Sequence, residues 1–179
     1  SLYLPDSGII EFVESDEVEE KPLLKVNGAF VRLANDVSIS FYVYKSDFDK
    51  AGYDKPVLNI MFGGQLTTIE PIEAVVNSLD SYVFEFKRVR PYMFGDNMRI
   101  TLYAELKGTV CASESIDYIV SKYLYRTLEK AKEQELKTLL VDLLRYGAAV
   151  QQYMNYNLDN LVDAKLTAEQ ASYGTTECR

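Results

Sequence analysis

The chain has no histidine and no tryptophan, and only two of its 179 residues are cysteines. The absence of histidine excludes Ser-His-Asp and Cys-His catalytic arrangements and imidazole metal ligands. Two cysteines without histidine cannot complete a four-ligand zinc site, and no CxxC spacing suggests a redox motif. The 27 aspartates and glutamates leave a glycosidase-like pair of acids as a distant alternative. We therefore expect a protein that is not an enzyme, with no catalytic residues, no metal and no cofactor.

Long apolar runs and basic clusters are also missing. No apolar run approaches the roughly 18 residues of a membrane span, and 47% hydrophobic with 26% charged residues is typical of a soluble globular protein. A net charge of -8 repels phosphate backbones. The chain starts at Ser1 without a methionine or a leader pattern, so we expect any signal peptide to have been removed or left out. These features predict neither membrane insertion nor a nucleic-acid partner.

The two cysteines, Cys111 and Cys178, allow two interpretations. In an oxidising compartment they form a disulfide that ties the C-terminal tail to the last strand. Otherwise both are free thiols, Cys111 in a buried position and Cys178 in a frayed tail. The choice depends on a Cα separation that sequence does not contain.

Strand-like alternation runs through the first two thirds of the chain. Residues 37–44 alternate apolar and polar side chains, and residues 97–106 do the same. Turn residues at 62–65 and 106–109 predict tight hairpins. Further candidate strands lie at 23–26, 29–33, 57–62, 65–69, 82–87 and 109–112. The pattern predicts a mainly β protein with α-helices, built as an antiparallel β-sandwich of immunoglobulin-like or jelly-roll type, though not a true antibody-type domain.

The period changes at Ser113. Apolar residues then recur at helical spacing through 128, with Ser113 or Ser115 as the expected N-cap, and again from 136 to 156. The two segments predict a helical hairpin, turning through residues 130–133 and packed on the β-sandwich. Gly147 lies inside the second helix, where it favours close approach to the other helix or to the sheet.

These patterns divide the chain into four parts. Residues 1–22 are an acidic lead-in, 23–112 the β-sandwich, 113–164 the helical hairpin, and 165–179 a tail. The orientation of the helices on the sheet does not follow from the sequence.

The first candidate site consists of Tyr42, Tyr44 and Tyr103, with Arg99. Flat aromatic rings beside polar donors suit stacking on sugars or a protein-binding hot spot. Alternatively, the helical hairpin covers this face and the tyrosines only pack.

Two further candidates carry weaker signals. Asp47, Asp49 and Asp54 offer oxygens for calcium, although their spacing misses the EF-hand pattern and an ordinary turn with Asx caps is the favoured explanation. A ligand groove between the helices and the sheet requires convergent polar groups, for which Arg126, Arg145 and Gln151 are candidates.

The helical half carries a resemblance. The string YIVSKYLY at 118–125, the string LLVDLLRYGAAVQQYMNYN at 139–157 and the LDNLVDA that follows resemble a module of secreted or cell-surface multidomain proteins from clostridial, Gram-positive gut anaerobes. The similarity covers about residues 23–164 and is looser in the strands. It implies an extracellular setting beside dockerin, leucine-rich-repeat or carbohydrate-active domains. It implies no activity and no functional residues.

Together, these observations predict a noncatalytic accessory module of a secreted or cell-surface bacterial protein. In the favoured hypothesis its role is structural or protein-interacting, its partner is another protein or another domain of the same polypeptide, and the tyrosine rings lie beneath the helices. In the alternative it is a carbohydrate-binding module with a polysaccharide partner and exposed, coplanar tyrosine rings.

Overall fold

A computed structural model describes residues 23–34 and 36–176. The acidic lead-in predicted for 1–22 and the cysteine at 178 lie outside these residues. Within the described part, nine strands form two antiparallel sheets. The strands are β1 Gly28–Leu33, β2 Val37–Tyr44, β3 Tyr53–Phe62, β4 Gln65–Ile69, β5 Ile72–Val76, β6 Leu79–Phe86, β7 Met98–Leu106, β8 Thr109–Ala112 and β9 Ile116–Tyr118.

Helices flank the strands. The described residues form α1 Lys45–Lys50, α2 Val120–Lys130, α3 Gln134–Met154 and α4 Ala168–Ala171, together with 3-10 turns at Pro91–Met93 and Leu158–Asn160. Within the described ranges, no helix combines the length and the hydropathy needed to cross a bilayer.

The four-stranded sheet has the order β1-β2-β6-β5, and the five-stranded sheet has the order β4-β3-β7-β8, with β9 also paired to β7. The odd-numbered residues of β2 are at most 5% exposed and belong to the core, whereas Tyr42 and Tyr44 on its other face are half-buried. Phe62 of β3 and Phe86 of β6 meet edge to face at 5.8 Å between ring centroids. The inner faces of the two sheets therefore share one core, to which buried residues of α2 and α3 also belong.

Both predicted hairpin turns are confirmed. Phe62 pairs with Gln65 and Leu106 pairs with Thr109. Gly63 and Gly64 have φ of 61° and 76°, the left-handed values that a two-residue type I′ hairpin requires. The strands predicted at 37–44, 65–69 and 109–112 are confirmed with their boundaries, and the strand predicted at 97–106 is confirmed with a start one residue later.

The predicted start of the first helix is wrong. Ile116 is in β9, where it pairs with Ile100 of β7, and α2 begins only at Val120. Ser113 caps no helix; its N–H donates to the Leu102 carbonyl at 2.8 Å and its Oγ accepts from the Leu102 N–H at 2.9 Å. Backbone hydrogen bonds along the edge of β7 therefore outweigh a helical pattern of apolar residues.

Three smaller expectations also differ. The predicted strand at 23–26 is irregular, and β5 was missed because Pro71 precedes a segment that is mostly exposed. The segment with Asp47 and Asp49 forms α1 rather than an ordinary turn.

Cys111 is half-buried on β8 and forms no disulfide with any described residue, so its pairing with the cysteine at 178 stays a prediction.

Tyr118 in β9 carries a buried hydroxyl without a hydrogen-bond partner among the described residues, while its ring packs edge to face on Phe41. We expect Tyr118→Phe to raise the free energy of unfolding by up to about 1 kcal/mol at neutral pH, because it removes an unsatisfied polar group and keeps the ring. Chemical denaturation measures this. Tyr146→Phe, at a hydroxyl-bearing side chain that is 63% exposed, is the matched control and is expected to change nothing. A destabilised Tyr118→Phe protein would show that the hydroxyl has a partner.

The Tyr118 hydroxyl also makes the free energy of unfolding depend on pH in the alkaline range. Burial, with a further contribution from Tyr123, raises the pKa of Tyr118 to about 12. The folded state thus holds this proton more tightly than the unfolded chain, whose tyrosine pKa is about 10. Its contribution to stability is complete below pH 10 and is lost as pH rises toward 12. The decline should be shallower in Tyr118→Phe.

Candidate functional site

The sequence-predicted tyrosine set is divided between the two sheets. Tyr42 and Tyr44 lie on the outer face of the four-stranded sheet, in β2. Tyr103 and Arg99 lie on the outer face of the five-stranded sheet, in β7. The prediction of one site that contains all four residues is therefore wrong. Alternation shows which residues of a strand face outward, but it does not show whether two strands lie in the same sheet.

Tyr103 and Arg99 have separate surroundings. Tyr103 is half-buried between the partner residues Val57 and Ala112. Arg99 is exposed, with its Nη1 3.4 Å from Asp117 Oδ1. An exposed pair of this kind adds little to stability.

Tyr42 and Tyr44 form a small aromatic cluster with Phe30. Their ring centroids are 5.4 Å apart and their planes are tilted by 49°, while Phe30 lies 6.2 Å from Tyr42. Asn77, in the turn between β5 and β6, donates to Tyr44 Oη at 3.0 Å and to Tyr42 Oη at 3.3 Å. Desolvation raises the pKa of Tyr42, and the hydrogen bond with Tyr44 raises it further. The rings are half-buried and fixed, but they are not coplanar.

The Tyr42 ring lies across Gly28 on the neighbouring strand. A Cβ at Gly28 would lie 2.6 Å from Tyr42 Cζ, so a larger residue would displace the ring. Beyond Tyr42 in the same cross-strand row lie Val83 and then Ile72, which is 63% exposed. Leu79, at the end of β6, is 46% exposed on the same side. We call the surface of Phe30, Tyr42, Tyr44, Ile72 and Leu79 the tyrosine face.

Neither α2 nor α3 makes a hydrogen bond or a ring contact with this cluster. The hydrogen bonds and ring contacts of the Tyr42 and Tyr44 side chains go to Phe30, Asn77 and each other. The expectation that the rings lie beneath the helices is therefore wrong, because the helices bury their apolar residues in the core shared by the inner faces.

The three aspartates considered for calcium do not form one group. Asp49 of α1 is 3.4 Å from the hydroxyl of Tyr82, and Asp54 of β3 accepts from the N–H of Lys55 at 2.9 Å. Asp47 lies in the first turn of α1. Among the described residues, no set of three histidine, cysteine or acidic side chains lies close enough to hold a metal ion.

A second site lies where α2 begins. A cleft of about 330 Å³ separates one side of α2 from the loop that follows α3, with Gly95 of the β6–β7 connection at its end. Tyr125, Ile119 and Leu161 supply apolar surface. The remaining lining residues are Ser121, Lys122, Arg126, Asn160, Val162, Ala164 and Lys165. We call this the cationic cleft.

Two side chains hold the loop that forms one wall. Tyr125 Oη donates to the Val162 carbonyl at 2.7 Å and accepts from the Lys165 N–H at 3.3 Å. Gln151 of α3, only 1% exposed, accepts from the Val162 N–H at 2.8 Å and donates to the Asn160 carbonyl at 3.1 Å. The loop backbone is thus attached to both helices.

The charge of the cleft is of one sign. Lys122, Arg126 and Lys165 line it, and the lining residues within the described part include no aspartate or glutamate. None of the ion pairs found among the described residues uses these three side chains. Asp163 lies in the wall segment but outside the lining; burial raises the pKa of its carboxyl, and Arg145 opposes that shift.

Of the groove residues predicted from sequence, only Arg126 lines the cleft. Arg145 is exposed and reaches the Ala171 carbonyl at 3.5 Å, and Gln151 supports the wall from inside. Lys122 was missed, although its spacing of four from Arg126 puts both on one side of α2. Lys165 carried no sequence signal, because its position depends on a loop without periodicity.

No family model, no curated protein and no solved structure matches this chain.

Proposed function

We propose that this chain is a noncatalytic accessory module of a secreted or cell-surface bacterial protein, and that it binds another protein or another domain of the same polypeptide through the tyrosine face. Its fold is an immunoglobulin-like β-sandwich with a C-terminal helical hairpin packed on it. The observation that carries the proposal is the partly apolar face of the four-stranded sheet, on which Ile72 and Leu79 are exposed.

Strand order supports the immunoglobulin-like type over the jelly roll. If the strands β1 to β8 are lettered A, B, C, C′, D, E, F and G, the sheets read A-B-E-D and C′-C-F-G. This is the order of immunoglobulin-type sandwiches with an added C′ strand. The edge-to-face contact of Phe62 and Phe86 across the sheets is consistent with face-to-face packing.

Helix bounds support the hairpin. Only residues 131–133 separate α2 from α3, a connection of the length that joins neighbouring antiparallel helices. The buried residues Leu124, Leu128, Leu140 and Leu144 belong to the cluster that also contains the strand core.

The shape of the tyrosine face favours a protein partner. Rings tilted by 49° do not offer one flat platform for a sugar, and Asn77 already engages both hydroxyls. Ile72 and Leu79 add exposed aliphatic surface, which cannot form hydrogen bonds with a polar ligand. Tyrosines surrounded by aliphatic residues are typical of the central part of protein interfaces.

Carbohydrate binding is the second candidate. Half-buried tyrosine rings with hydroxyls and the Asn77 amide beside them provide both an apolar surface and hydrogen-bonding groups. In this case one ring, rather than a coplanar pair, would stack on a sugar.

A double variant tests the protein-interaction proposal. Ile72→Asp with Leu79→Asp is expected to weaken binding to a flanking domain of the parental polypeptide by tenfold or more, because it puts two charges into an apolar contact. Isothermal titration of the chain against each separately expressed flanking domain measures the affinity.

Leu66→Asp with Val110→Asp is the matched control, since both residues are exposed on the other sheet. A parallel polysaccharide-binding screen compares the unmodified chain with the Tyr42→Ala, Tyr44→Ala double variant. The unfolding transition of the variant is checked to confirm that it is folded. Polysaccharide binding lost only in the tyrosine variant would replace the protein partner with a carbohydrate. Absence of binding to every flanking domain would leave only another protein as the partner, and equal losses of affinity in the Ile72→Asp, Leu79→Asp variant and its control would contradict the tyrosine face as the binding surface.

A further inference from the structure

We infer that the cationic cleft binds a sugar acid, with the ligand's carboxylate held by Lys122, Arg126 and Lys165. The cleft lies at α2 and the loop after α3, whereas the tyrosine face is on β1, β2, β5 and β6. The inference is therefore independent of the partner proposed for that face.

The charge arrangement favours an anion from outside the described fold. The whole chain has a net charge of -8, with 27 acidic residues, yet the described lining of this cleft contains three cations and no acid. Lys122 and Arg126 are four residues apart on one helix, a like-charge spacing that slightly destabilises the helix. An anionic ligand relieves this repulsion and forms charge-assisted hydrogen bonds with the guanidinium and ammonium groups.

The acids nearest in sequence do not neutralise the cleft. The Asp163 carboxyl is half-buried outside the lining, where it interacts favourably with Arg145 of α3 and contributes to the raised pKa of Tyr125. The ion pairs found among the described residues do not include Asp159 or Asp163. The three cations are thus available to a ligand.

The rest of the lining matches a carbohydrate better than an inorganic anion. A volume of about 330 Å³ is in the range of small-molecule sites and larger than a sulfate or phosphate needs. Tyr125, Ile119 and Leu161 provide apolar surface for a sugar ring, and Ser121 and Asn160 offer hydrogen-bonding groups for hydroxyls. A ring that carries both hydroxyls and a carboxylate uses all three kinds of surface.

The cleft is also preformed. Its loop wall is held by the Tyr125 hydroxyl from one helix and by the buried Gln151 amide from the other. A site with fixed walls loses little conformational entropy on binding, which favours measurable affinity from a few contacts.

Titration of the folded chain with uronic-acid oligomers tests the inference. The probes are oligomers of galacturonate, glucuronate and mannuronate, each beside its neutral hexose counterpart, with sodium sulfate as a competing anion. We expect at least one uronate oligomer to bind, its neutral counterpart to bind at least tenfold more weakly, and added salt to lower the affinity. Amide chemical-shift changes should centre on α2 and residues 160–165.

Two double variants locate the site. Lys122→Gln with Arg126→Gln is expected to weaken uronate binding by about tenfold or more, because charge-assisted hydrogen bonds are lost. Lys130→Gln with Lys132→Gln removes the same net charge outside the cleft and should change the affinity less than about twofold. Thermal unfolding of both variants checks that the fold is intact.

Other outcomes overturn the inference. Equal losses in the two double variants would reveal only long-range attraction by net charge. Sulfate that displaces the uronate at equal concentration would show a general anion site, and equal binding of the neutral oligomers would remove the role of the carboxylate. Absence of binding by all three uronates would reject the sugar acid.

Discussion

Replacement of Gly147 by alanine is expected to lower the free energy of unfolding by about 2–3 kcal/mol, although alanine is the better helix former by about 1 kcal/mol. Gly147 lies in the middle of α3, against the connection between β6 and β7. A Cβ at this position would lie 2.5 Å from the Pro91 carbonyl oxygen, 2.8 Å from the Pro91 carbonyl carbon and 2.8 Å from Val162 Cγ2. Two of these atoms belong to the backbone and cannot rotate away, so the helix or the connection has to move.

Thermal and chemical denaturation measure the effect, which corresponds to a fall in Tm of roughly 5–10 °C for a chain of this length. Ala149→Leu is the matched control, since it adds more atoms to the exposed side of the same turn and is expected to change stability by less than about 0.5 kcal/mol. A Gly147→Ala protein as stable as the parent would mean that α3 does not approach the Pro91 backbone as described.

The second large effect is expected from Gln151→Leu, which should lower the free energy of unfolding by about 3 kcal/mol. The side chain is 1% exposed and links α3 to the loop after it through the Val162 N–H and the Asn160 carbonyl, with a longer contact of 3.4 Å to the Asn157 carbonyl. Leucine has a similar volume but leaves these backbone groups without their partner, and each unsatisfied buried group costs about 1–3 kcal/mol.

Denaturation gives the global change, and hydrogen exchange resolves where it occurs. Amides of the loop, Val162 above all, should exchange faster, while those of β3 and β7 should change only with global stability. Gln152→Leu, at the exposed neighbouring position, is the control. Unchanged exchange at Val162 would show that the loop holds its conformation without the amide.

The same variant connects stability with the cationic cleft. The loop that Gln151 holds also carries Asn160, Leu161 and Lys165 of the lining. Its release should therefore weaken binding of a uronate even though Gln151 does not line the cleft. Gln151→Leu thus tests a supporting role in binding, whereas the substitution of Arg126 tests direct contact with the ligand.

Local pattern and local structure disagree most clearly at residues 113–119. The apolar spacing there predicts a helix, but Ser113 and Ile116 pair with the edge of β7. Because β8 pairs only with residues 103–106 of β7, the preceding part of β7 has an unpaired edge on that side, and its N–H and carbonyl groups are a strong competitor for an adjacent segment. Its position is a property of the assembled sheet, and no window of the sequence contains it.

The tyrosine face and the cationic cleft also show what local sequence patterns predict and what they do not. Alternation correctly puts Tyr42, Tyr44 and Tyr103 on outward faces, but the faces belong to different sheets. In the cleft, the spacing of Lys122 and Arg126 along a helix is readable, whereas Lys165 joins them through a loop that Tyr125 and Gln151 hold.

The sequence by itself determined the mainly β character with added helices, most strand boundaries, the two tight hairpins and the long second helix. These depend on interactions within a few residues: side-chain alternation, left-handed turn residues and helical spacing. Only the tertiary structure decided which strands share a sheet, which backbone Gly147 lies against and which cations line one cleft. Each of these depends on pairs of residues far apart in the chain, and their free energy arises only when the whole core assembles.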